Sequence, residues 1–341
     1  MKICMTGGSG FIGTWFCQEY AKRGDEVVIL DLVEPAADVP HARYVFGDVR
    51  DPEAVRDACQ GCDAVLHLAA AHHDFGITDA TYFAVNQQGT QVLCDVMDEL
   101  GVRSICFYST VAVYGDAPPP LTEDTIPQPL SPYGKSKLAG EQVLEAWTRQ
   151  GDGRRCLVIR PTVTFGPNNF ANMYSLIRQI ESGRFFQAGP ATNIKSLSYV
   201  ENIMAATLHL WALDDADAFD VYNWVEKPDM TSAEISASVA KALQRPAVRR
   251  MPLPLVLLMA KPFDVAIALT GKNIPISTAR VRKLFVDQTK FESDRARHAG
   301  FTPSISLDEA IGRMVQWYVD GGRDEQATWH QPPPETVKRS G

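Results

Sequence analysis

Tyr133 and Lys137 stand four residues apart in Ser131-Pro132-Tyr133-Gly134-Lys135-Ser136-Lys137, and a helix sets both side chains on one face. Ser131 suits the N-cap and Pro132 the first helical position, so the helix begins where the pair needs it. A phenol with an ordinary pKa of about 10 is a weak base at neutral pH. A lysine ammonium within ~4–6 Å, helped by the positive helix N-terminus, favours the phenolate. Such a pair can exchange a proton with a substrate hydroxyl. Ser109 and Thr110 end the strand expected at 103–108, and a hydroxyl there can hydrogen-bond the same oxygen and orient it.

A redox partner for that proton transfer is implied at the other end of the chain. Met5-Thr6-Gly7-Gly8-Ser9-Gly10-Phe11-Ile12-Gly13 follows the apolar Ile3 and Cys4 and leads into 11–20, which reads as a helix. Strand, glycine turn and helix together make a dinucleotide site. Gly7 permits the tight turn, Gly10 lets the backbone approach a pyrophosphate, and Gly13 lets helix and strand pack closely. The anion then lies on the unpaired N–H groups of the helix N-terminus. Gly8, Gly10 and Gly13 also satisfy the GxGxxG spacing, so two glycine registers coexist. Val27-Val28-Ile29-Leu30 reads as a strand covered on both faces, and Asp31 ends it 18 residues after Gly13. Such folds place there the acid that binds the adenosine ribose hydroxyls. A carboxylate repels a 2′-phosphate, and 32–35 contain no Lys or Arg, so the expected cofactor is NAD rather than NADP. With a nicotinamide in place, the proton moved by Tyr133 accompanies a hydride.

The elements that must position these residues follow from the rest of the chain. Its 341 residues, 45% hydrophobic and 22% charged, suit a globular protein with ample core, in one large domain or two smaller ones. A net charge of −8 argues against a nucleic-acid partner. Met1-Lys2 runs straight into the first strand, and no uninterrupted apolar span is long enough to cross a bilayer. A cytoplasmic location with no membrane span is expected. Seven cysteines are scattered without a framework, and Cys59-Gln60-Gly61-Cys62 reads as a turn, so no metal is expected. Strands near 43–46, 64–70, 103–108 and 157–159 alternate with helices, which predicts an α/β fold with a Rossmann-type doubly wound parallel sheet. Ligands of such sheets bind beyond the carboxyl ends of the strands. Asp48 would there either accept from an adenine amino group or cap the helix that starts near Asp51. His67 reads as a packed strand residue.

These residues together resemble the extended short-chain dehydrogenase/reductase family, in its NAD-dependent sugar-nucleotide epimerase/dehydratase branch. The likeness runs from residue 1 to about 320. It is carried by the glycine turn, by Gly47-Asp48-Val49, His67-Leu68-Ala69-Ala70 and Asn86-Gln87-Gln88-Gly89-Thr90, and by Ser109-Thr110-Val111-Ala112-Val113-Tyr114-Gly115. The segment 131–137 and Arg160-Pro161 with Phe165-Gly166-Pro167 complete it. The resemblance selects Thr110 over Ser109 as the catalytic hydroxyl beside Tyr133 and Lys137, and implies that Lys137 also holds the nicotinamide ribose. It implies NAD contacts from Gly7, Gly10, Phe11, Ile12, Gly13, Asp31, Asp48, Val49, Leu68, Ala69, Ala70, Asn86, Tyr133, Lys137 and Pro161. In the family's 4,6-dehydratases an Asp-Glu pair follows the threonine; Val111 and Ala112 stand here, which argues against dehydration. The expected activity is epimerisation of a nucleoside-diphosphate sugar. The alternative is a dehydrogenase or reductase acting on a sugar nucleotide or a sterol-like alcohol.

The second half is less regular. We expect an NAD domain from 1–166 plus about 198–225, a smaller, mixed α/β substrate domain from about 167–197 and 226–320, and a flexible tail at 321–341. Asn172, Lys195, Arg280 and Arg282 are candidate diphosphate ligands by position and charge, alongside Thr110 as a substrate contact. The segment 252–269 is unusually apolar. Its expected role is packing, with a lid for a lipophilic substrate or a membrane-edge surface as the other readings. Helices at 86–100 and 133–150 each carry an apolar stripe, and the family pairs these with a neighbour's, which implies a homodimer.

Overall fold

Apolar runs bounded by turns become strands, and helices return the chain to the sheet across one face or the other. The computed structural model describes the chain except residues 37, 74–75, 152, 215–216, 271–276, 328–331 and 338–341. It starts with β1 (Lys2–Thr6), α1 (Phe11–Arg23), β2 (Glu26–Asp31) and β3 (Ala42–Phe46). Next come α2 (Pro52–Cys59), β4 (Ala64–His67), α3 (Asp79–Phe83), α4 (Gly89–Leu100) and β5 (Ser104–Tyr108). α5 (Pro132–Arg149), β6 (Arg155–Pro161), β7 (Val163–Phe165), α6 (Asn172–Glu181) and β8 (Phe186–Ala188) follow. β9 (Ile194–Lys195), β10 (Leu197–Tyr199), α7 (Val200–Trp211) and β11 (Phe219–Trp224) lead to β12 (Met230–Thr231), α8 (Ser232–Ala242) and β13 (Arg249–Met251). Among the described residues there follow α9 (Leu253–Thr270), α10 (Thr278–Phe285), α11 (Asp294–His298) and α12 (Leu307–Trp317).

Seven strands form one parallel sheet in the order β11-β6-β5-β4-β1-β2-β3. This is the doubly wound α/β architecture that the alternating pattern predicts. The order reverses between β1 and β4, so a crevice opens beyond their carboxyl ends. Leu93, Met97, Phe107, Leu144 and Trp147 fill one side of the sheet, and Phe16, Ile203, Leu210 and Trp224 the other. Fully burying each such side chain contributes roughly 1.5–3 kcal/mol. A third cluster joins α6, α8 and α12 through Ile177, Val239, Ile311 and Met314.

Local signals explain the helix ends that matter for the site. Gly24, in the left-handed region, stops α1. Asp51 accepts from Glu53 N to start α2, with Pro52 at its first position. Ser131 accepts from Gly134 N to start α5. Two segments differ from the sequence reading. The helix expected from 86 is α4 preceded by a wide turn, Ala84–Gln88, within which the Asn86 side chain bonds the Ala71 backbone. The expected tail is not free where it is described: α12 runs on through a wide turn, Tyr318–Gly322, and Arg50 donates to the carbonyls of Pro334 and Glu335. The rest of that tail, 328–331 and 338–341, lies outside the described residues.

Among the described residues no helix is long and apolar enough to cross a membrane, and no group of side chains is arranged to hold a metal. All seven cysteines are unpaired and buried. A Cβ at Gly13 would lie 2.6 Å from Gly8 Cα and Gly8 O. Gly13→Val therefore forces α1 off β1. We expect a loss of about 1–3 kcal/mol of stability, read by thermal denaturation, together with loss of nucleotide binding.

Candidate active site

The crevice at the β1–β4 reversal is a cavity of about 630 Å³. Gly7, Gly10, Phe11, Ile12, Gly13, Asp31, Asp48, Val49, Leu68, Ala69, Ala70, Thr110, Tyr133, Pro161 and Asn172 all line it. Its nucleotide end is shaped by backbone. Gly7 has φ +71°, and a Cβ there would sit 2.6 Å from Ala69 N, so no other residue fits the turn. Gly10 caps α1 without a side-chain bond, which leaves the first-turn N–H groups of α1 toward the cavity. Asp31 accepts from Ser9 N at 3.0 Å and Leu32 N at 2.7 Å. Burial raises its pKa, and the N–H donors of Ser9, Leu32 and Val33 oppose that rise. The carboxylate is thus fixed in place at the cavity wall.

At the far end, α5 and the end of β5 bring the reactive side chains together. Thr110 caps the short 3-10 turn Val111–Tyr114 by accepting from Ala112 N at 3.1 Å, and its hydroxyl lies beside the Tyr133 phenol. Burial pushes the Tyr133 phenol up to about 12, and the Thr110 hydroxyl acts in the opposite, weaker direction. One helical turn on, Lys137 is 1% exposed. Its Nζ lies 3.9 Å over the Phe107 ring and has no hydrogen-bond partner. Burial pulls its pKa down to about 7, and Glu141 opposes that. This corrects the sequence expectation that Lys137 lowers the phenol's pKa. Both groups are dehydrated here, and burial works against the ammonium and the phenolate alike.

Several other expected ligands are used elsewhere. Asn86 is fully buried: it accepts from Ala71 N at 2.8 Å and donates to Ala71 O and Ser136 Oγ, so it ties α5 to the β4 exit and does not line the cavity. Asp48 lines the cavity in a close pair with Arg50, Nη2 to Oδ2 2.6 Å, and Asp51 rather than Asp48 caps α2. Lys195 does not line the cavity; its ammonium serves the carbonyls of Lys283 and Asp287 at the C-terminal end of α10. Arg280 and Arg282 lie on α10 and are likewise absent from the lining. No Lys or Arg is among the described lining residues. His67 is buried between the hydroxyls of Thr6 and Thr90 with its pKa lowered to about 3 by burial, which is a structural role.

Sequence reasoning missed a network beneath Thr110. Glu141, one turn after Lys137, takes Arg160 Nη2 at 2.5 Å and Nε at 3.0 Å, and accepts from the Ser109 hydroxyl. Arg160 also donates to Tyr114 OH at 2.9 Å, and that hydroxyl donates to Asn223 at 2.7 Å. The signal was present: Tyr133, Lys137 and Glu141 repeat every four residues, a single helix face.

The arrangement fits a dinucleotide. The backbone cradle admits nothing larger than glycine at Gly7, Asp31 stands where a ribose would, and the orphaned Lys137 ammonium lacks the oxygens a second ribose supplies. A family profile described as the NAD dependent epimerase/dehydratase family matches residues 3–224. The chain is 35% identical to the N-acetyl-alpha-D-glucosaminyl-diphospho-ditrans,octacis-undecaprenol 4-epimerase of Escherichia coli O157:H7, over 95% of this chain and 97% of that protein. It is 28% identical to a UDP-glucose 4-epimerase of Lacticaseibacillus casei, over 64% of this chain and 73% of that one. The crystal structure of a UDP-glucuronic acid 4-epimerase from Bacillus cereus in complex with NAD superposes with a TM-score of 0.73 at 21% identity, covering 94% of this chain and 99% of that one.

Two outcomes follow from the site. Asp31→Ala is expected to weaken NAD binding about tenfold or more, with NADP much less affected, since a charged hydrogen bond is lost and a repulsion removed; titration of both cofactors reads this. Lys137 has its pKa lowered to about 7 from 10.5 on folding. The unfolded chain therefore binds the extra proton between those values, and burial of the charge costs stability most below about pH 7. Lys137→Met is expected to stabilise the cofactor-free protein by on the order of 2–5 kcal/mol at pH 6, with the gain fading toward pH 10. Thermal melts across that range check it.

Proposed function

This chain belongs to the NAD-dependent epimerase/dehydratase family, and from that premise we propose that it inverts a secondary hydroxyl on a sugar carried by a diphosphate. NAD, when bound, supplies a hydride acceptor that can return what it takes. Gly7, Gly10, Gly13 and Asp31 would hold its adenosine half, Ala69, Ala70 and Pro161 its path across the crevice, and Lys137 the nicotinamide ribose. Thr110 orients the sugar hydroxyl. Tyr133 receives that hydroxyl's proton as the carbon is oxidised and gives a proton back as the ketone is reduced on its other face. The observation that carries this reading is Val111 and Ala112 directly after Thr110. They leave no carboxylic acid or carboxylate there to expel water, so the ketone's productive fate is re-reduction.

The nucleoside-diphosphate sugar expected from the sequence is the first substrate reading, and it suits the family. A polyprenyl-diphosphate sugar is the second, supported by the 35% identity over 95% of this chain to a relative whose name is that of a 4-epimerase of an undecaprenol-diphosphate-linked sugar. Asn172, at the start of α6, is the expected diphosphate ligand that does line the cavity. We also propose a homodimer through α4 and α5, whose Val92, Leu100 and Val143 are only partly buried. A cytoplasmic location is consistent with seven unpaired cysteines.

Incubation of UDP-sugars and of polyprenyl-diphosphate sugars with enzyme and catalytic NAD is expected to give an inverted sugar with no accumulation of free NADH. NADH rising in step with product means a dehydrogenase, and loss of a water mass means a dehydratase. Tyr133→Phe is expected to lower turnover by about 10²–10⁴-fold with NAD binding nearly intact.

A further inference from the structure

α9 is apolar on the side that faces the protein and on the side that faces solvent. At ~100° per residue, Leu253, Val256, Ala260, Asp264 and Ile267 share the inner arc, and Val256 and Ala260 are buried. The opposite arc presents Leu255, Leu258, Met259, Phe263, Val265 and Leu269, all exposed, with Leu258 at 61% and Leu269 at 81%. A water-facing helix surface normally carries charge. Here the helix has two charged residues, Lys261 and Asp264. Asp264 turns inward to receive Thr278 N at 3.0 Å and Thr278 Oγ1 at 2.7 Å, which starts α10. The outer arc therefore carries no acid.

Charge around this helix is strongly one-sided. Residues 245–290 hold nine Lys or Arg against two Asp and no Glu, a net of +7, in a chain whose total is −8. The remainder of the chain is thus at −15. Arg249 and Arg250 are exposed on β13 just before α9. Arg282 and Lys283 are exposed on α10, with Leu284 and Val286 extending the apolar surface beside them. The platform is firmly seated: Asn193 and Ser232 donate to Leu284 O, and β13 pairs with β8.

We infer that the α9–α10 surface docks the enzyme onto an anionic lipid bilayer. The helix is ~27 Å long at 1.5 Å per residue, yet it is fastened along its inner face, so it lies in the interface plane instead of crossing. Apolar side chains entering the acyl boundary, ringed by Lys and Arg that meet anionic headgroups, is the chemistry of an interfacial helix. A second copy of the chain suits the surface less well, because two such patches would set the exposed Arg249, Arg250, Arg282 and Lys283 against their own copies. This inference holds whichever carrier the sugar has.

The test is sedimentation of the full chain with vesicles of phosphatidylethanolamine and phosphatidylglycerol, beside vesicles of phosphatidylcholine. Binding is expected to the anionic vesicles, to be weaker on the neutral ones, and to fall as salt is raised. Leu258→Glu with Leu269→Glu is expected to abolish it. Arg282→Glu with Lys283→Glu is expected to lower the vesicle affinity roughly fivefold or more for each charge. NAD binding, retained in both double variants, shows that they fold. No binding of the wild-type chain to anionic vesicles overturns the inference. So does a result in which the α9 variant changes the oligomeric state by light scattering while vesicle binding persists, since the surface then serves a second copy.

Discussion

A buried ion pair governs how the reactive helix lies on the sheet. Glu141 on α5 and Arg160 on β6 meet in a two-pronged contact, both almost fully buried. Removing one partner of such a pair typically costs ~3–5 kcal/mol, whereas replacing both with apolar groups can cost nothing. Its value here is therefore positional. Once Glu141 is fixed over Arg160, Lys137 and Tyr133 fall one and two turns earlier on the same face, beside Phe107 and Thr110. Close approach is needed for this seating: a Cβ at Gly134 would meet Ala112 O at 2.6 Å, and one at Gly140 would meet Asn86 O at 2.6 Å. Two glycines and one ion pair thus set the distance between a strand-end hydroxyl and a helix phenol.

The same seating makes the site electrostatically costly before any ligand arrives. Lys137 is brought under a phenylalanine ring with no oxygen to receive its protons, and Tyr133 is held in surroundings that favour its neutral form. Burial thus works against the charged form of each. A bound ribose would relieve Lys137 by giving its ammonium hydroxyl acceptors, and the restored cation would then favour the phenolate. Binding and activation are linked in this way through one side chain. Instability stored at a site and released by its ligand is a common arrangement in enzymes.

Much of this was legible in the sequence because it depends on local backbone demands. The glycine turn, Asp31 at the end of β2, and the four-residue spacing of Tyr133 and Lys137 announce themselves, since a strand–turn–helix and a helix face each have a fixed period. Residues whose role is set by distant partners were not legible. Lys195 looked like an anion ligand, but the free carbonyls at the end of α10, nearly ninety positions later, compete for its ammonium. Asn86 looked like a cofactor contact, but the backbone of Ala71 needed a donor and an acceptor. The phenol's pKa was misjudged for a related reason. Spacing reports that a lysine is near a tyrosine and says nothing of whether water is.

Charge placement adds the last constraint. A chain that is at −15 outside one segment repels anionic ligands over most of its surface, yet it reads as a handler of diphosphates. The conflict resolves if approach is local. Within a Debye length of about 8–10 Å a basic patch sets the potential regardless of total charge. That patch coincides with residues 245–290, whose helix α9 also exposes Leu255, Leu258, Met259, Phe263, Val265 and Leu269. Positive charge and apolar surface are therefore combined on α9 and α10, and no described residue of either helix lines the crevice. The crevice selects by backbone fit and hydroxyl chemistry, and the opposite task, attracting something both anionic and apolar, is left to α9 and α10.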